Sequence, residues 1–162
     1  MNYSAVVIGK QIRDIIKTNH ADSLGLVNCS FGSLATLPAP PLEVNLPAVF
    51  VAVNDVPSDE QTIATTSSHV RVTYNYDILY LRPFAESEEA YAESITEAEG
   101  IAETLMEDRK LSGLALTNAK IGNSGVTRIS YDEGTTRFFN DALRLRCNVV
   151  IIGFAVVVQA AR

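Results

Sequence analysis

The sequence predicts an α+β domain, a mostly antiparallel β-sheet with two main helices packed on one face. Three observations predict it. Apolar residues recur at helical spacing in two stretches, from Ala5 to Ile16 and from Tyr91 to Leu105. Two other stretches suit strands, "HVRVTYNYDILYLRP" at 69–83 by alternation and "VVIIGFAVVV" at 149–158 by its mostly β-branched content. The element order, helix, two strands, helix, hairpin, short helix, strand, favours antiparallel neighbours over repeated β-α-β units.

The first helix is expected to begin after Ser4 as N-cap and to run for about 14 residues, with Ala5, Ile8, Ile12, Ile15 and Ile16 on one face. From Asn19 to Asn45 the pattern dissolves into Gly, Ser and "LPAPPLEVNLP", where prolines impose extended backbone and remove donors. This is a long connection with one short strand at Leu24 to Cys29. "AVFVAV" at 48–53 is the next strand. The acidic segment from Asn54 to Ser68 then reads as a mobile hairpin loop. In the long strand that follows, Val70, Val72, Tyr74, Tyr76, Ile78 and Tyr80 alternate with Arg71, Thr73, Asn75 and Asp77, the pattern of a half-wet antiparallel strand.

The second helix opens with Glu86, Ser87, Glu88 and Glu89 and closes with Arg109 and Lys110 before Gly113, so charge agrees with the helix dipole. Its wheel sets Tyr91, Ile95, Ala98, Ala102 and Leu105 inward and Glu86, Glu89, Glu93, Glu97, Glu103 and Glu107 outward. A hairpin is expected from Ala115 to Tyr131, turned by Gly122 and Gly125, then a short helix in "TTRFFNDALRLR" capped by Thr135 or Thr136. In the last strand Val149, Ile151, Ala155 and Val157 share one face and Val150, Ile152, Phe154, Val156 and Val158 the other. Both faces call for dry surroundings, and the second cover would come from the 19–45 loop, the short helix or another subunit.

With 162 residues the chain makes one domain, 1–162, with long loops at about 19–45 and 54–68. The terminal apolar run is far short of the roughly 20 residues of a membrane span. A net charge of -6 argues against gripping nucleic acid, which needs a concentrated basic surface. Cys29 and Cys147 lie far apart and point to a reducing compartment. The opening "MNYSAVVIGKQIRD" lacks a basic leader, so a cytosolic product is expected.

No catalytic, cofactor or metal site is expected, and the protein is read as no enzyme. "GNSG" lacks the lysine of a phosphate loop, and neither His20 nor His69 has a partner at catalytic spacing. Cys29 in "VNCSFG" shows no activating base. The glutamate pairs on the second helix lie opposite its apolar stripe, in bulk water, where neither pKa tuning nor dry metal coordination is available. Nine of the 19 acids fall between Glu86 and Asp108, giving the molecule one strongly negative side. Tyr74, Tyr76 and Tyr80 are read as packing residues rather than a base-stacking platform.

The first helix, the strand starting "LPAVFV", the strand ending "LYLRP", the acidic helix "ESEEAYAESITEAEGIAETLMED", the exit "LSGL" and the final "VVIIGFAVVV" together resemble the tail terminator (tail-completion) proteins of tailed bacteriophages. The likeness covers the first helix and most of the chain from Leu46 onward, and lies in order and texture. It implies a structural virion protein at the tail/neck junction, assembled in the host cytoplasm: a homo-oligomeric ring, expected to be hexameric, that caps the tail tube and docks the neck or head. Its partners would be copies of itself, the tail tube protein and the neck connector, with genomic DNA passing through unbound and no membrane involved. Asp55, Asp59 and Glu60 are the candidate assembly-contact residues. Neck or head-completion connectors of the same virion are the nearest alternative. A non-viral peptide-binding module, accepting a strand on the edge of "VRVTYNYDI", is the other.

Overall fold

The computed structural model describes residues 5–30, 46–53, 61–62, 69–116, 119–131, 137–138 and 146–161. In chain order these form α1 (Ala5–Asn19), β1 (Leu26–Ser30), β2 (Ala48–Ala52), β3 (Gln61–Thr62), β4 (His69–Pro83), α2 (Glu88–Glu107), β5 (Ala119–Ile121), β6 (Gly125–Tyr131), β7 (Arg137–Phe138) and β8 (Arg146–Ala161). The strands build one sheet around β4 and β8, which pair antiparallel in unbroken register from His69 opposite Ala161 to Pro83 opposite Cys147. On the far side of β4 lie β2 and β3, both antiparallel, and β1 extends β2 in parallel. The α+β class and the mostly antiparallel sheet are as the sequence predicts.

Both helices cover one sheet face. Ile8, Ile12, Ile15 and Ile16 of α1 and Ala98, Ile101, Ala102 and Leu105 of α2 are buried there with Val72, Tyr74, Tyr76, Ile78 and Tyr80 of β4 and the even-numbered residues Val150–Val158 of β8. Burying so many branched chains in one cluster is the main term holding the layers together, at roughly 1.5–3 kcal/mol for each fully buried side chain. The three tyrosines are core, as expected. One of them also clamps α1: the Tyr76 hydroxyl donates to the Ala5 carbonyl at 2.7 Å. Tyr76→Phe removes this second bond to a carbonyl that also serves the helix and is expected to lower stability by about 1 kcal/mol in chemical denaturation, with the fold intact. Gly9 lets the clamp close, because a Cβ there would stand 2.7 Å from Val53 Cγ2 and 3.4 Å from the Tyr76 ring.

Helix α2 starts where Ser87 accepts the Ala90 amide at 3.0 Å, with Glu88 and Glu89 in the first turn. It ends earlier than expected, at Glu107, because the Asp108 carboxylate turns to accept the Ser112 amide. Arg109 and Lys110 therefore lie beyond it. Its buried stripe is also rotated: Ala90, Ser94 and Ile101 are inside, whereas Tyr91 is 38% exposed and Ile95 is half-buried. Tyr91 instead meets Tyr131 of β6 edge-on, with ring centroids 5.0 Å apart, covering the sheet margin.

The expected 115–131 hairpin does not form. β5 and β6 do not pair with each other, since each pairs antiparallel with β8, one after the other along its free edge, and Gly122 donates to the Val157 carbonyl at 2.6 Å to keep the line. A 16-residue strand offers more edge than one short partner can occupy, and its apolar surface outweighs the local turn signal. β7 occupies the remaining stretch, so residues 137–138 are strand where a short helix was expected. One edge of "VRVTYNYDI" is filled by β8 along its whole length, and the other is taken by β3 at Val70 and Arg71 and by β2 at Asp77 and Ile78.

The outer sheet face is divided. At one end Phe50, Leu79, Leu81, Cys147 and Val149 form a second buried cluster with Leu26, Leu46 and Ile151 at its margin. Here both faces of β4 and β8 are dry. At the other end Arg71, Asn75, Asp77 and Gln159 are exposed and Ala155 and Val157 half-buried. The half-wet pattern thus holds only for the first half of β4. Among the described residues no helix is long and apolar enough to cross a membrane.

Candidate assembly surface

Asp55, Asp59 and Glu60 lie outside the described residues, as do most of the two long loops. Among the described residues the remaining candidates are a cavity and two exposed faces.

The cavity, of about 220 Å³, opens between α1 and α2 and is lined by His20, Leu24, Tyr80, Glu97 and Ile101 among others. Thr104 Oγ1 donates to the Gly100 carbonyl at 3.2 Å, so it accepts from His20 Nε2 at 2.8 Å, which assigns the imidazole proton to that nitrogen. Burial holds the His20 pKa below its ordinary value and raises that of Glu97. Glu97 is exposed, as expected of the outward α2 glutamates, but at the mouth of this cavity it is partly desolvated. Both shifts follow from desolvation, which disfavours each charged form, and both weaken charge in the groove. Because the unfolded chain takes up a proton at His20 before the folded one does, stability should fall as pH drops from about 7 toward 5. Denaturation midpoints across that range should decline less steeply in His20→Gln.

Cys29 and Cys147 are both free thiols whose pKa is raised by burial, that of Cys147 to about 12. Neither is activated. Arg13 and Lys10 pull the other way at Cys29 but are outweighed.

The first exposed face is the open end of the outer sheet surface. Register sets Arg71, Gln159 and Lys120 in one cross-strand row and Asp77, Gly153 and Arg128 in another. Gly153 is required where it stands. The bulge around Thr127 presses Thr127 Oγ1 to 2.6 Å and Arg128 Cγ to 3.0 Å from where a Cβ would be, and Arg128 passes over this gap to reach Asp77 at 3.7 Å. That pair is exposed on both sides and contributes little to stability. Between the rows β8 presents only Ala155 and Val157. The result is a shallow strip with, among the described residues, three cations and one anion around it, on a chain whose net charge is -6.

The second face lies across the molecule. Along its solvent side α2 exposes Glu89, Ala92, Thr96, Glu99, Glu103 and Glu107. Among the described residues, the one ion pair made by an α2 acid joins Glu93 to Arg82 at 3.2 Å. Sequence reasoning found this acidic face but missed the basic strip. Arg71 was legible from alternation, whereas Lys120 and Arg128 reach the same surface through β5 and β6 joining β8 separately. No protein-family model matches the chain, and neither does any curated protein sequence.

Proposed function

We propose that this chain is a structural virion protein that closes the tail tube of a bacteriophage as a ring, stops its elongation and presents the docking surface for the neck. What carries the reading is the pair of chemically unlike exposed faces on opposite sides of one sheet, joined to the element order that resembles tail terminators. Closed head-to-tail rings need two different patches per subunit, and a two-faced sheet with helices on one side supplies them. Charge supports it as well: six copies at -6 each carry -36, a field that lets DNA pass without phosphate contacts. Electron microscopy of the purified protein mixed with tail tubes tests the proposal. Sixfold caps on one tube end are the expected result. Binding at the head vertex alone would replace it with the neck-connector reading, and indifference to both would overturn either virion role.

A further inference from the structure

We propose that the acidic ridge of α2 in one copy seats along the outer strip of β8 in the next copy, with its glutamates reaching the cations at the two ends of the strip. The inference rests on the ring reading above and names the surfaces that close the ring. Each face is exposed, and the two lie on opposite sides of the sheet, so one copy cannot bring its own ridge to its own strip. A second copy can.

The spacing matches. The row of Arg71 and Lys120 crosses β8 at Gln159 and the row of Arg128 crosses it at Gly153, six residues away. At the rise of a strand that is about 20 Å. On the helix, Glu89 and Glu103 are 14 residues apart, which at helical rise is about 21 Å. Between the rows the strip carries Ala155 and Val157, and between the two glutamates the ridge carries Ala92 and Thr96 beside Glu99. Small residues meet small residues, so helix and sheet can approach closely enough for the charges at both ends to pair.

Charge points the same way. Among the described residues Arg71 and Lys120 make no ion pair, and Arg128 has only the long exposed contact with Asp77. The ridge acids Glu89, Glu99, Glu103 and Glu107 likewise make none. Complementary patches of this kind steer association and reject the wrong register, because like charges placed together are costly. A weakening of the assembly with rising salt is therefore expected.

The test is a charge swap on the full chain, read by native mass spectrometry and light scattering, with circular dichroism and melting to confirm folding. The doubles Lys120→Glu with Arg128→Glu, and Glu89→Lys with Glu103→Lys, should fold normally but associate about a hundredfold or more weakly. Combining all four changes restores complementarity and should restore the ring. Folded doubles that assemble like the starting protein, or a quadruple variant as dissociated as the doubles, would overturn the interface while leaving the ring reading in place. Doubles that ring normally yet no longer cap tubes would also overturn it, by showing that these faces serve the tube. A starting protein that forms no ring at any salt, with or without tubes, removes the ring reading itself and this inference with it.

Discussion

Ile152→Asp should leave no cooperatively folded protein, while Ala155→Asp, three residues along the same strand, should leave the fold in place. Ile152 is fully buried on the helix-covered face, opposite Ile78 and Ile129, in a cluster that holds tyrosines but no cation to pair with a carboxylate. An ionised carboxylate there costs several kcal/mol even after relaxation, and the alternative is to protonate or to unfold. A domain of this size has only about 5–15 kcal/mol in total. Ala155 faces the other way, half-buried between Asn75 and Gly125 in the cross-strand register, where water reaches a carboxylate. Circular dichroism melts of the two variants decide the matter. Equal damage from both would mean that the outer face is as dry at residue 155 as the inner face is at 152. An unharmed Ile152→Asp would contradict the register of β8.

Phe154→Ala is the second large effect, with a loss of about 3–5 kcal/mol expected in chemical denaturation. Phe154 is 1% exposed and sits opposite Tyr76, beneath the helices. Its removal opens a cavity that the paired strands cannot collapse to fill, because their spacing is set by the hydrogen-bond ladder. The denaturant slope should be unchanged, and a loss under about 1 kcal/mol would mean that the ring is not packed as described.

These two residues also mark how far the chain could be read without coordinates. The 69–83 strand appears with the bounds and the face assignment that alternation implied, and α1 buries every apolar residue its spacing named. Period is a local signal, and where an element is long the core simply completes it. The failures have one cause. "LALTNAKIG" and "VTRISY" carry a turn between two strand-like runs, which is a hairpin by every local rule. They became two separate additions to β8 because that strand is long enough to hold both. Residues 137–138 were drawn to the same edge. The rotation of α2, which put Tyr91 outside against Tyr131, likewise came from what the helix lands on.

The assembly surface divides in the same way. The acidic side of α2 was visible in composition, since seven acids within one helix have few places to go but water. The basic strip was not, because Arg71 of β4 lies far in the chain from Lys120 and Arg128 of β5 and β6, and the three meet only through their shared partner β8. Elements, their inward faces and the helix charge thus follow from short-range periodicity and capping. Which strands pair, which end of the outer face is dry, and where cations gather depend on contacts between remote segments, and those are settled by the lowest free energy of the whole chain.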